Sequence, residues 1–117
     1  MDTKTAVDAY YAAWMRGDGD FSAVPLAADL TYTGPVANIA GADAFRQMTS
    51  QAAPPVTRFA IRHQYIDGET ACTIIDWEMA LPVAPMTAAE ILTVRDGRII
   101  HGENIYDGEA LRTAMAG

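Results

Sequence analysis

The stretch VTRFAIRHQYIDGETACTIIDWEMALPVAPMTAAEILTVRDGRIIHGENIY, residues 56–106, decides the fold. Apolar and polar residues alternate along it with period two, as in strands whose successive side chains point to opposite faces. Asp67-Gly68 and Asp96-Gly97 interrupt the alternation, and each pair tolerates the positive φ that a two-residue hairpin demands. The spacing predicts an antiparallel meander of four strands, Thr57–Ile66, Thr70–Leu81, Met86–Val94 and Ile99–Tyr106.

Upstream of Val56 the period is helical. Val7, Tyr10, Tyr11 and Trp14 fall on one side of a helix, with Thr3 or Thr5 available as N-cap and Gly17 as its stop. After the Gly17-Asp18-Gly19-Asp20 turn we expect a short second helix over Phe21–Ala28, capped by Asp20 and kinked at Pro25. Leu30–Thr33 reads as a short strand ended by Gly34-Pro35. Gly41–Gln51 reads as a third helix with Ala44, Phe45 and Met48 at matching spacing. Helices first and a long sheet afterwards make an α+β order, the helices packed on one face of the sheet.

The chain has 117 residues, which suits one domain spanning 1–117, and half of them are hydrophobic, enough for a core. Its net charge of −7, with only eight Lys and Arg, argues against nucleic acid or an anionic membrane surface as partner. The lone Cys72 has no internal disulfide partner and sits in a strand, where it reads as a packed thiol. Asp2, Lys4 and Asp8 precede any long apolar run, so we expect neither a signal peptide nor a membrane span, and a cytoplasmic location. His63 and His101 are the only imidazoles. No Cys or His pair has ligand spacing, and there is neither a glycine-rich phosphate loop nor a Gly-x-Ser-x-Gly elbow. We therefore expect no metal, no nucleotide cofactor and no serine hydrolysis.

Strand alternation sorts the remaining polar residues by face. Ile75, Trp77, Met79 and Leu81 share one face, which leaves Asp76 and Glu78 as outer charges. Ala88, Glu90, Leu92 and Val94 share another, so Glu90 is a carboxylate among apolar neighbours, a structural carboxyl or an acid/base group. On the last strand Ile100, Gly102, Asn104 and Tyr106 make the better pocket wall. Arg58 and Arg62 lie together opposite Phe59, Ile61 and His63. His63 is then a core histidine or a second acid/base group reaching Glu90. The outward face, with Ile74, Ile91, Ile99 and Ile105, is apolar enough to predict a homodimer through it.

Several segments together carry a family resemblance: VDAYYAAW (7–14), GDGDF (17–21), ADLTYTGP (28–35), GADAFR (41–46) and DGRII (96–100) followed by Tyr106-Asp107. Their order and spacing resemble the SnoaL-like, nuclear-transport-factor-2-like superfamily, which includes ketosteroid isomerases, polyketide cyclases and small epoxide hydrolases. The resemblance implies a cone of helices closed by a curved, mainly antiparallel sheet, dimeric through its outer face. Ketosteroid isomerases hold an enolate oxygen with a tyrosine of the first helix and a protonated carboxyl of the penultimate strand. By position Tyr10 resembles that tyrosine and Glu90 that carboxyl. The family's proton-shuttling carboxylate directly precedes a proline, and that place is Gly34 here. Its aromatic pocket positions resemble Trp14, Trp77 and Tyr106, with Tyr32 and Asn104 as further lining.

Together these readings lead us to expect a cofactor-independent lyase, isomerase or cyclase acting on a small hydrophobic carbonyl compound. Tyr10, Glu90 and His63 are the candidate acid–base and oxyanion groups, and Trp14, Tyr32, Trp77, Asn104 and Tyr106 the candidate substrate-binding ones. The alternative is a non-catalytic ligand-binding or interaction domain.

Overall fold

Asp2, not a threonine, caps the first helix: its carboxylate accepts the backbone N–H of Thr5 at 2.8 Å. In the computed structural model, which describes residues 2–116, this helix (α1, Thr3–Arg16) ends at Gly17, whose φ of 75° closes the last turn in a conformation open to glycine. There follow β1 (Leu26–Thr33), β2 (Asn38–Ala40), α2 (Ala42–Ala52), β3 (Val56–Asp67), β4 (Thr70–Met79), β5 (Met86–Arg95), β6 (Arg98–Ile105) and α3 (Glu109–Ala116).

The expected helix over Phe21–Ala28 does not form. Asp20 accepts the N–H of Ser22 at 3.0 Å, but only a turn follows before Leu26 enters β1. Pro25 has no N–H for a helix to use. Its carbonyl instead accepts from Ile99 at 2.8 Å, and Leu26 pairs with Ile99, so this end of β1 is zipped to β6. Phe21, Val24 and Leu26 still bury their side chains. The two elements not anticipated, β2 and α3, are short, at three and eight residues, and gain their shape from pairing with β1 and from Leu111 turning inward.

The sheet has the order β2-β1-β6-β5-β4-β3; the β1–β6 pair is parallel and every other pair antiparallel. It remains open, and α1 crosses β3 to β6 while α2 covers β1 and β2, which gives the α+β cone. The core lies between helices and sheet, built on Val7, Tyr10, Phe21, Leu30, Phe45, Leu92 and Ile99.

Two of the sheet's four register slips overturn the expected facing of a residue. Between Ile61 and His63 the register with β4 slips, so Ile61 opposes Ile75 but His63 opposes Ile74 on the other face. A bulge adds one residue to one strand and inverts the alternation beyond it. A second slip, between Thr93 and Val94, lets Val94 oppose Ile99 while Thr93 opposes His101. Ile99 is therefore buried at 1% exposure, and its expected place on the outer face is overturned.

Candidate active site

Glu90 stands in the middle of β5, on the inner face, between its cross-strand partners Thr73 of β4 and Asn104 of β6. It is 3% exposed, and its neighbours on that face are Ala88 and Leu92. A carboxylate so placed demands partners. Three phenols provide them. Tyr10 donates to Oε2 at 2.8 Å, Tyr11 donates to Oε1 at 2.9 Å, and Tyr32 donates to Oε2. Tyr10 and Tyr11 are consecutive in α1, so their side chains leave the helix about 100° apart and can take different oxygens of one carboxyl. Their rings meet edge to face at 5.0 Å.

Tyr32 arrives from β1, directly opposite Gly102 of β6. A Cβ at residue 102 would lie 2.5 Å from the Tyr32 ring. The missing side chain is thus what lets that ring lie across the strand towards Glu90.

Burial drives the Glu90 carboxyl above its ordinary range, against the hydrogen bonds of Tyr32, Tyr10 and Tyr11, which favour the ionised form. Burial and then the negative charge of Glu90 raise the proton affinity of Tyr10, Tyr11 and Tyr32, so all three remain neutral donors well past neutrality. No described salt bridge involves Glu90. It is stabilised by dipoles alone.

Beside the carboxyl opens a cavity of about 620 Å³, within the range of small-molecule sites. Its wall is mainly apolar: Trp14 stacks on Phe59 at 5.8 Å, and Trp77 meets Tyr106 edge to face at 4.9 Å. Glu90, Tyr32 and Asn104 supply polar groups, and Glu90 is the only carboxylate among the described lining residues. The Oδ1 of Asn104 is buried with no hydrogen-bond partner.

Glu90, Trp14, Tyr32, Trp77, Asn104 and Tyr106 thus border a single hollow. Tyr10 holds Glu90 from the core side and does not reach the hollow, and its one hydrogen is already given to Glu90. His63 is not part of the site. The bulge beside it turns it to the outer face, where it is exposed against the Tyr65 ring at 6.2 Å between centroids. The role of Tyr11 escaped the sequence reading, although the Tyr10-Tyr11 doublet was its signal. Arg58 and Arg62 point outward to Glu78 at 3.3 Å and Asp76 at 2.5 Å. Among the described residues no group of three or more His, Cys, Asp or Glu could hold a metal ion, and no helix is long and apolar enough to cross a membrane.

The profile of the SnoaL-like domain matches residues 7–102. The chain belongs to the SnoaL-like family. Similar solved structures include a protein from Kribbella flavida DSM 17836, with 32% identity over 96% of this chain and 92% of that one and a TM-score of 0.82. A steroid delta-isomerase from Pseudomonas aeruginosa shares the fold at 17% identity, covering 97% and 86% with a TM-score of 0.80. An LEH-like epoxide hydrolase from M. tuberculosis shares it at 21% identity, covering 97% and 89% with a TM-score of 0.73. No curated protein matches the sequence. In this SnoaL-like chain α3 lies beyond the matched residues, yet Leu111 and Met115 help line the cavity. Gly34, where the resemblance puts a proton-shuttling carboxylate, lies on the wall and offers no side chain to titrate.

Proposed function

We propose that this protein is a cofactor-independent lyase, isomerase or cyclase that moves a proton on a small hydrophobic carbonyl compound, of polyketide, terpenoid or steroid-like character. One observation carries the reading: a carboxyl held by three phenols borders an otherwise apolar cavity. An apolar wall receives the body of the ligand, and the polar end receives its oxygen. Glu90 is the acid–base group. Tyr32, which borders the cavity, takes the part of oxyanion donor that the resemblance gave to Tyr10, while Tyr10 and Tyr11 position the carboxyl. A preorganised donor of this kind is worth about 2.7–4 kcal/mol in the transition state.

Exchange of the α-hydrogens of 2-acetylnaphthalene with solvent deuterium, followed by NMR, tests the reading. The wild-type protein should accelerate exchange, and Glu90→Gln should lose about a hundredfold or more of that acceleration. Full exchange in Glu90→Gln would count against any acid–base role for the residue. The second reading, a ligand carrier without turnover, is favoured by Gly34: the wall has one carboxylate where a two-carboxylate proton transfer needs two. Tight binding of the ketone with no exchange above the uncatalysed rate would establish it.

We further propose a homodimer through the outer face of the sheet, where Tyr65 and Ile105 are 62% and 51% exposed beside half-buried Ile74 and Ile91. Light scattering at micromolar concentration should give twice the chain mass, and Ile74→Glu should halve it. A wild-type monomer contradicts the assembly.

A further inference from the structure

The hydrogens of the Glu90 cluster can be counted. An ionised carboxylate only accepts, at about four lone-pair positions on its two oxygens. Tyr10 and Tyr32 donate to Oε2 and Tyr11 to Oε1, so all three phenol hydrogens are committed and one acceptor position remains, on Oε1. In that state the cluster has no hydrogen to offer a ligand. A fourth hydrogen, on the carboxyl itself, changes this. It either points into the cavity from Oε1 or, on Oε2, is donated to the Tyr32 oxygen, which reverses that hydrogen bond and frees the phenol hydrogen of Tyr32. Glu90 and Tyr32 border the cavity, whereas Tyr10 and Tyr11 do not, so the extra hydrogen has its outlet on the ligand side.

The groups facing Glu90 are the phenols of α1 and β1, the Thr73 hydroxyl of β4 and the Asn104 amide of β6. None is a cation that would pin the carboxyl in its ionised form. Proton uptake therefore leaves no partner charge stranded, and it satisfies both the buried acid and an incoming oxygen.

We propose that the cavity takes up a neutral carbonyl compound together with one proton. The carbonyl oxygen has lone pairs and no hydrogen, so it needs a donor at the polar end; beside the Asn104 amide the donor there is the cluster, which supplies one only in its four-hydrogen form. The bound class is an apolar ketone, aldehyde or enone. The proton comes from solvent, no other bond changes, and by reciprocity the ligand strengthens proton binding by the factor with which the proton strengthens ligand binding. This inference rests on the reading of the cavity as a small-molecule site, and not on turnover there.

Calorimetric titration of the full chain with 2-acetylnaphthalene and with its hydrocarbon counterpart 2-ethylnaphthalene, from about pH 5 to about pH 9, separates the possibilities. Above the pH at which Glu90 titrates, the Kd of the ketone should rise about tenfold per pH unit. Buffers of different ionisation enthalpy should report uptake approaching one proton. The hydrocarbon should bind with no pH dependence. Glu90→Gln, which carries a donor at every pH, should bind the ketone without proton uptake. If wild-type protein binds both probes with the same pH profile, or if Asn104→Leu alone removes the preference for the ketone, proton-coupled binding is overturned while the small-molecule cavity stands. If neither probe binds, the reading beneath it falls as well.

Discussion

Tyr32→Phe removes one hydrogen bond to Glu90 and leaves the ring in place over Gly102 and beside Phe45, 5.2 Å away between centroids. A hydrogen bond to an ionised group contributes about 1.5–3 kcal/mol, and one between neutral groups about 0.5–1.5 kcal/mol. At 1.36 kcal/mol per decade, the difference between the two bonds, about 1–1.5 kcal/mol, moves the Glu90 protonation equilibrium roughly five- to tenfold towards the acid. The variant should therefore lose more stability when Glu90 is ionised than when it is protonated. The assay is an NMR titration of 13C-labelled Glu carboxyls, paired with urea unfolding on either side of the transition. Tyr10→Phe and Tyr11→Phe should move Glu90 in the same direction, since both also favour its ionised form. A Tyr32→Phe protein in which Glu90 titrates at or below the wild-type pH would refute the reasoning, because the bond would then be favouring the acid or contributing nothing.

The pH dependence of stability has a definite sign. Because folding raises the proton affinity of Glu90 above its ordinary value of 4.5, its contribution is complete below that value and is lost as pH climbs through the folded one; wild type should weaken relative to Glu90→Gln over that rise, as read by urea midpoints. The raised phenols act likewise at the alkaline end: stability holds below their ordinary value of 10 and falls above it, with the tyrosinate absorbance of Tyr10, Tyr11 and Tyr32 appearing only on unfolding. Gly102→Ala puts a methyl 2.5 Å from the Tyr32 ring and 3.2 Å from Leu92, an overpacking that should cost about 1–3 kcal/mol; combining it with Tyr32→Ala should cost less than the sum of the two, by chemical unfolding.

Much of this was legible in residues 56–106, where period-two patterning and two Asp-Gly turns located β3 to β6 within two residues of their ends. The inward set of Ile75, Trp77, Ala88, Glu90 and Leu92 also followed from alternation, because no bulge interrupts the β4–β5 pair. His63 and Ile99 were misplaced for one shared reason. Each lies beside a register slip, and a single extra residue exchanges the two faces without leaving a mark in the local composition. The first strand was read short because apolar spacing over Phe21–Ala28 suits a helix as well as a turn entering a strand, and pairing with Ile99 decided between them. The position of Tyr11 depended on the rotation of α1 over the sheet, which its aromatic stripe does not fix to within one residue.

The choice of phenols to hold Glu90 has a consequence for what the site can accept. An arginine in their place would keep the carboxylate ionised across the neutral range and make the cavity end a fixed charge pair. Phenols of raised proton affinity stay neutral, so the cluster moves between a total charge of zero and of minus one on a single proton. An anionic ligand meets either a second negative charge or an acid that must be kept protonated in a low-dielectric wall, with no cation to offset it. A neutral ligand meets neither cost. The substitution Gly34→Arg, at a wall position where an added Cβ would lie 3.6 Å from the Asn104 Cβ, supplies the missing cation and should invert the preference towards a carboxylate such as 2-naphthoate, as read by calorimetric Kd values for the two ligands. A Gly34→Arg protein that folds, as judged by circular dichroism, and still prefers 2-acetylnaphthalene would mean that cavity shape and not charge sets the choice of ligand.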